Sequence, residues 1–361
     1  MNSHTFLETM LTNEKQEERN AMIRVCKTDG YNWIFDTQNG NFARWGKTKE
    51  DDPTHSPVGP EILDIEVSTV CSGPTGIPCS HCYKSNTPNG QNMPLEMFKE
   101  ILDKMPKNLT QIAFGIGDID ANPDLLKMFE YCRSKNIIPN VTINGSRMTP
   151  GWYDRLAELC GAVAVSRYPT YWICYNAVKE LTSRGMKQVN IHMMTSKETY
   201  LDCFQLIDAK MRDERLKDLN AIVFLLMKPK GNRNKHTQLT NLEDYGKLIK
   251  YALDRDVAIG FDSCSAPYVV ECLKDHPNFD EIQMSCEPCE SGCFSSYINT
   301  KGEYWHCSFT EDHTDRRAVN VLQCKDFLSE IWFSQEVVKF REKIIAGGKW
   351  HECPVYNLSM K

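Results

Sequence analysis

Short apolar segments alternate with longer amphipathic segments through most of the chain. The short segments are rich in β-branched residues, and the longer ones place apolar residues three and four positions apart, as a helix does. The predicted strands are EILDIEVST, TQIAFG, NVTIN, GAVAVS, QVNIHMM, NAIVFLLM and AIGFD. Strands that alternate with helices predict parallel pairing through right-handed crossovers. We therefore expect an α/β fold built on a partial (β/α)6 TIM-like barrel, in which the loops after the strand ends carry the chemistry.

The two ends of the chain do not follow this alternation of predicted strands and helices. Near the start, YNWIFDTQNGNFARWG alternates apolar and polar residues around Asn39-Gly40, which predicts a β-hairpin. Near the end, SSYINTKGEYWHCSF predicts a second hairpin that turns at Lys301-Gly302, and 324–348 predicts a last helix. The expected domains are an N-terminal extension over 1–60, a core barrel over 61–262 and a small cysteine-rich α+β domain over 263–361.

The composition of the chain argues against several classes of protein. The net charge of −6 argues against a general nucleic-acid binder, whose surface would be basic. No run approaches the roughly 18 consecutive apolar residues of a membrane span. The first residues lack the basic and apolar regions of a signal peptide, so we expect a cytoplasmic location and no membrane partner. In that setting the 16 cysteines indicate metal binding rather than disulfides.

Three cysteines follow the first predicted barrel strand, in the stretch VCSGPTGIPCSHCY. Cys71, Cys79 and Cys82 are separated by seven residues and then two, with turn-forming glycines and prolines in the longer gap. Iron–sulfur clusters are held by thiolates, normally one per iron, so three ligands leave one iron of a cubane open. A zinc site completed by His81, or a group of redox-active thiols, is the alternative.

The segment DIEVSTVCSGPTGIPCSHCY resembles the radical SAM superfamily, in which a three-cysteine loop follows the first barrel strand. Usual members space these cysteines by three and two residues. Further segments resemble the family in the expected order along the chain: FGIGDIDANPDL, TINGS, AVSRY and NIHMM. The resemblance covers about 61–262. It implies a [4Fe-4S] cluster held by Cys71, Cys79 and Cys82, with S-adenosylmethionine (SAM) at the open iron.

The same matches imply contacts to SAM. Gly117 and Asp118 would receive its amino group, with Asp120 as a fallback because Asp118 is shorter than the usual glutamate. A simple N-capping loop is the alternative for this segment. Ser166 and Arg167 end the fourth strand, where ribose and carboxylate contacts are expected. The other candidates are His81 near the adenine, Asn144 in TINGS, and His192 and Asn190 on the fifth strand, where His192 could instead be a core histidine.

A second cysteine group lies in CEPCESGCFSSYINTKGEYWHCSF. Its spacing C-x12-G-x4-C resembles the opening motif of SPASM and twitch domains, which carry auxiliary iron–sulfur clusters. The expected auxiliary ligands are Cys264, Cys289, Cys307 and Cys353, with Cys286 and Cys293 as alternatives. Too few cysteines follow the hairpin for the full SPASM pattern, so we expect one auxiliary [4Fe-4S] cluster. A four-cysteine zinc site is the alternative.

The resemblance implies radical chemistry. The reduced cluster would cleave SAM to a 5′-deoxyadenosyl radical, which abstracts hydrogen from a substrate. A peptide or protein side chain is the expected substrate. The alternatives are a small molecule or nucleotide, and a non-enzymatic iron–sulfur or zinc-binding interaction protein. The family also implies a flavodoxin or ferredoxin as electron donor. The basic loop KPKGNRNKH is expected to be solvated, with contact to an anionic substrate group as the alternative.

Overall fold

A small antiparallel sheet precedes the core. The computed structural model describes residues 23–38, 40–48, 50–312 and 318–361. The small sheet contains β1 (Ile23–Lys27), β2 (Asn32–Asp36) and β3 (Phe42–Trp45). The predicted hairpin is confirmed in β2 and β3, which pair antiparallel, and Gly40 has the φ of +74° that a tight turn needs. Asn39 lies outside the described residues.

The core is a sheet of parallel strands covered by helices. Its strands are β4 (Ile62–Glu66), β5 (Gln111–Gly115), β6 (Ile138–Ile143), β7 (Val163–Ser166), β8 (Val189–Thr195), β9 (Ala221–Leu226) and β10 (Ile259–Phe261). They pair in chain order. The helices between them are α1 (Leu95–Lys104), α2 (Leu125–Ser134), α3 (Pro150–Leu159), α4 (Tyr171–Ser183), α5 (Tyr200–Arg212) and α6 (Leu242–Leu253). This confirms the partial barrel, and the described strands do not close into a ring.

Each core strand has an apolar face under the helices and a more polar face on the other side, which we call the inner face. In β4, Leu63 and Ile65 are buried in the main core, whereas Asp64 between them is partly exposed. The same alternation in β8 buries Ile191 and leaves His192 partly exposed. Closed barrels fill their interior with bulky branched side chains. The polar inner face of this sheet is instead suited to a ligand.

The cysteine-rich C-terminal part continues the core sheet. After α7 (Ala266–Leu273) and α8 (Phe279–Ser285), β11 (Ser295–Ile298) pairs parallel with β4. The strands β12 (Glu303–Trp305) and β13 (Val319–Asn320) extend the sheet antiparallel. The predicted second hairpin is confirmed, and Gly302 at its turn has a φ of +78°. The domain boundaries at 60/61 and 262/263 stay predictions. In the part of the chain that is described, no helix is both long and apolar enough to cross a membrane.

The single last helix predicted over 324–348 is wrong in its extent. A short π-helical turn spans Leu328–Trp332, and α9 begins afresh at Gln335–Ala346. Ser334 separates them, because its backbone is extended and its hydroxyl accepts a hydrogen bond from the Val337 N–H. A serine in that position caps a new helix.

One arginine joins the small sheet to the other two parts of the chain. The Arg44 guanidinium donates to Glu61, just before β4, at 2.7 Å and to Glu290 in the cysteine-rich part at 2.9 Å. It also lies 3.4 Å from the ring centre of Phe294, and the Tyr31 hydroxyl donates to Glu61. Burial raises the pKa of Glu290 to about 7, opposed by the charge of Arg44. The Glu61 side chain is 2% exposed and the Glu290 side chain 16%, and both pair with this one cation.

We predict that Arg44→Ala lowers the free energy of unfolding by about 3–5 kcal/mol, because it leaves the buried Glu61 and the largely buried Glu290 without a cation. The measurement is the urea midpoint by circular dichroism. Arg155→Ala is the control, since Arg155 pairs with Glu130 and Glu158 on the surface and its loss costs about 1 kcal/mol at most. Equal losses in the two variants would contradict the role given to Arg44.

Candidate functional site

The three-cysteine loop leaves the carboxyl end of β4 as a tight turn. The Gly73 N–H donates to the Cys71 sulfur at 3.3 Å, and the Cys82 N–H donates to the Cys79 carbonyl at 3.4 Å. Gly73 has a φ of +77°, and a Cβ there would lie 2.0 Å from the Ile77 carbonyl oxygen. A side chain at this position would therefore open the turn.

The three thiols are near one another at this turn. Burial raises the pKa of Cys71 to about 11, with smaller contributions from the charges of Asp118, Cys79 and Cys82. Within the described ranges, no three His, Cys, Asp or Glu side chains stand arranged as metal ligands. The donor set nevertheless fits an iron–sulfur cluster, since three thiolates come from one loop and no fourth cysteine belongs to it.

Asp118 holds the loop after β5 against the cysteine loop. Its buried carboxylate accepts hydrogen bonds from the Ser72 N–H at 2.7 Å and the Asn144 amide at 3.0 Å. The Arg147 guanidinium lies 3.4 Å from the same carboxylate. Asp120, the fallback candidate, is 45% exposed and pairs only with Arg147, at 3.6 Å. The structure thus brings Asp118 and Asn144, but not Asp120, to the cysteine loop.

Gly117 permits this close approach. A Cβ at Gly117 would lie 2.0 Å from the Val70 carbonyl oxygen and 2.7 Å from the Cys71 Cβ. The neighbouring Asp118 N–H donates to the same Val70 carbonyl at 3.0 Å. The glycine therefore lets the loop after β5 lie against the first cysteine.

An aromatic group covers the other end of the cysteine loop. The His81 ring lies 5.8 Å from the Tyr168 ring, nearly parallel to it, and 4.9 Å from the His236 ring. The Tyr168 hydroxyl is hydrogen-bonded to the Cys79 thiol and to Ser166. Burial, and to a smaller extent His236, lowers the pKa of His81 to about 4, so the ring is neutral at pH 7. Neither Tyr168 nor His236 is predicted from the sequence pattern, although Tyr168 ends the segment AVSRY.

Two of the remaining candidates lie together on the inner face. Ser166 and His192 are paired in the register of β7 and β8. The His192 Nδ1 is 3.5 Å from the Thr142 hydroxyl, and burial lowers the pKa of His192 to about 4. A neutral imidazole beside a hydroxyl can bind polar groups on this face.

The structure turns Arg167 away from this face. Successive residues of a strand point to opposite sides, so Arg167 points away from the side that Ser166 faces. The Arg167 guanidinium lies 3.6 Å from Asp202 on α5 and is hydrogen-bonded to Tyr175 on α4. We therefore correct its expected role as a SAM contact. The weaker candidate Asn190 is engaged elsewhere, since its side-chain oxygen accepts from the Asn220 amide at 2.8 Å.

The four expected auxiliary ligands come together from distant parts of the chain. The Cys264 and Cys353 thiols share a hydrogen bond, which raises the pKa of Cys264 and lowers that of Cys353. The charge of Cys307 contributes to the raised pKa of Cys289, and the charge of Cys353 contributes to the raised pKa of both thiols, after the larger effect of burial. The two alternatives stay open. Cys293 packs in an apolar cluster with Phe294 and interacts with Cys289, and Cys286 packs against the same apolar cluster as Cys264 and Cys353.

The expectation of a solvated basic loop after β9 is wrong. Lys228 is buried and forms an ion pair with Asp262. Lys230 donates to the carbonyls of Ser308 and Glu311. Arg233 donates to the Asn86 carbonyl at 2.7 Å, just beyond the three-cysteine loop. The three cationic side chains contact other parts of this chain, and they bind the loop to both cysteine regions.

Comparisons with known proteins agree with this geometry. The sequence model of the Radical SAM superfamily matches residues 65–168. The crystal structure of Streptococcus suis SuiB is similar, with a TM-score of 0.66 and 13% identity over 89% of each chain. SuiB bound to precursor peptide SuiA gives a TM-score of 0.66 and 14% identity over 88% of this chain and 90% of that chain. Native anSMEcpe with bound AdoMet and Cp18Cys peptide gives a TM-score of 0.56 and 16% identity over 78% of this chain and 83% of that chain. No curated protein matches the chain.

Residues 65–168 are a radical SAM domain, and the chain is an enzyme. This domain implies a [4Fe-4S] cluster and SAM. The alternative of a non-enzymatic binding protein is therefore set aside.

We predict that Gly117→Ala costs about 1–3 kcal/mol of stability, because the new methyl group forces the loop after β5 away from Cys71. Thermal unfolding of the apoprotein measures the loss, and iron content after anaerobic reconstitution should fall with it. Gly151→Ala is the control, since the nearest atom to a Cβ there is 3.9 Å away. A Gly117→Ala variant as stable as wild type would contradict the close approach.

Proposed function

We propose that this radical SAM enzyme removes a hydrogen atom from a peptide or protein side chain. The observation that carries the proposal is the extent of the likeness to SuiB, which spans nearly nine-tenths of both chains, and SuiB has been crystallised with a precursor peptide. The inner face supports it, because a ligand can enter between polar side chains. A flavodoxin or ferredoxin stays the predicted electron donor.

We assign Cys71, Cys79 and Cys82 as the ligands of the SAM cluster. When bound, the cluster and SAM supply the electron transfer and the 5′-deoxyadenosyl radical that takes the hydrogen atom. The protein supplies orientation. Asp118, fixed by Asn144, would accept the SAM amino group, Gly117 leaves room for it, and the remaining SAM contacts are His81, Ser166 and His192.

We further propose that Cys264, Cys289, Cys307 and Cys353 hold one auxiliary [4Fe-4S] cluster. The support is that these four thiols come from separate segments of the chain and interact with one another in pairs. Buried thiols that interact in this way have a clear use as ligands, since thiolates in apolar surroundings are otherwise costly. Iron and zinc analyses distinguish the cluster from a zinc site.

The ligand assignment predicts iron contents. After anaerobic reconstitution the wild-type chain should hold about eight irons, and Cys71→Ala/Cys79→Ala/Cys82→Ala about four. The triple variant should make no 5′-deoxyadenosine with dithionite and SAM, whereas Cys264→Ala/Cys353→Ala should keep about four irons in the SAM cluster. Formation of 5′-deoxyadenosine by the triple variant would contradict the assignment of the SAM-cluster ligands. About four irons together with bound zinc in the wild type would contradict the auxiliary cluster.

The substrate class is tested with short peptides encoded beside the gene. We expect the reconstituted enzyme to remove hydrogen from such a peptide, seen by mass spectrometry, together with faster formation of 5′-deoxyadenosine. The triple cysteine variant is the matched control. Stimulation by small metabolites alone, with every peptide unchanged, would favour the small-molecule alternative.

A further inference from the structure

One carboxylate on the inner face has no partner. Asp64 lies in the middle of β4, and its neighbours in the register are Ala113 on β5 and Tyr297 on β11. Leu63 and Ile65 on either side are buried under the helices, so Asp64 points to the inner face. No described residue donates a hydrogen bond to its carboxylate or forms an ion pair with it. Desolvation raises the pKa of Asp64 to about 6, which leaves it charged at pH 8.

The second inward carboxylate of β4 is different. Glu66, two residues nearer the three-cysteine loop, lies 3.3 Å from the Lys84 ammonium and accepts from the Tyr297 hydroxyl at 3.2 Å. Lys84 also pairs with Glu311. The strand β4 therefore carries one carboxylate, Glu66, that has hydrogen-bond and ion-pair partners. Asp64, two residues earlier, has neither among the described residues.

The groups that interact with Asp64 across the inner face are the tyrosines Tyr83 and Tyr297. The two nearby ammonium groups, Lys84 and Lys230, interact with Glu66 and Asp312 instead. Lys84 is already shared between two carboxylates, and Lys230 donates to backbone carbonyls. No cation of the described chain is left for Asp64.

We infer that Asp64 binds a cationic side chain of the substrate, a lysine ammonium or an arginine guanidinium, and so selects a basic residue for modification. This inference rests on the proposed peptide substrate. Asp64 is partly exposed but poorly hydrated, and a carboxylate in that state without a partner is stabilised when a ligand cation binds beside it. Asp64 is two residues further from the three-cysteine loop than Glu66, so a side chain bound at Asp64 would have to pass Glu66 to approach that loop.

The test uses the anaerobically reconstituted full chain and three probes at pH 8. The probes are N-acetyl-lysine methylamide, its uncharged analogue N-acetyl-norleucine methylamide, and n-pentylamine, which has the cation without the peptide backbone. Calorimetric titration in the presence of SAM should show the lysine probe binding at least about tenfold more tightly than either of the others. Equal binding of the lysine and norleucine probes overturns the inference. Equal binding of lysine and n-pentylamine overturns its peptide part in favour of a free amine.

Variants give a second readout. Asp64→Asn should lose the preference for the lysine probe, and its melting temperature without a probe should rise by a few degrees because an unpaired interior charge is gone. Asp254→Asn, which removes an exposed carboxylate at the end of α6, should change neither quantity. An Asp64→Asn chain that keeps the lysine preference contradicts the role of Asp64. Iron content and substrate-free 5′-deoxyadenosine formation test the proposed function separately.

Discussion

The close contact between the loops after β4 and β5 is the constraint on which the site depends. Asp118 accepts the Ser72 N–H and the Asn144 amide, and Gly117 lies against Val70 and Cys71. Parallel strands bring their carboxyl ends to one edge, but these contacts decide how the loops meet there. They fix the first cysteine beside a buried carboxylate, which we propose as the acceptor of the SAM amino group.

The basic loop after β9 and the hairpin of the C-terminal part complete the site from the other side. Tyr83, next to Cys82, packs against Phe309, with ring centres 4.6 Å apart. Phe309 stands two residues after Cys307, so the two cysteine regions are in direct contact. Because β11 pairs with β4, the C-terminal part belongs to the same sheet as the core. The two regions are therefore held at a fixed separation by one continuous sheet.

Much of the fold could be predicted because periodicity reports local structure. The alternation of strands and helices and both hairpins follow from apolar spacing and from glycines at turns. The break at Ser334 was missed, since an apolar stripe continues across it and only the serine cap marks the new helix. For the site, motif resemblance selected Gly117, Asp118 and Asn144, which the structure brings together. Arg167 does not reach the inner face, because successive residues of a strand point to opposite sides and Arg167 faces the helices. Tyr168, His236 and Asp64 carry no spacing signal, and only the assembled sheet shows what they face.

We propose that the three-cysteine loop holds a cubane with one iron open to SAM. The most direct measurement is the electron paramagnetic resonance spectrum of the reduced, oxygen-free Cys264→Ala/Cys353→Ala chain, recorded before and after addition of SAM. A change in the g-values of the single remaining cubane is the result expected when SAM binds its open iron. An unchanged spectrum at saturating SAM would contradict the account.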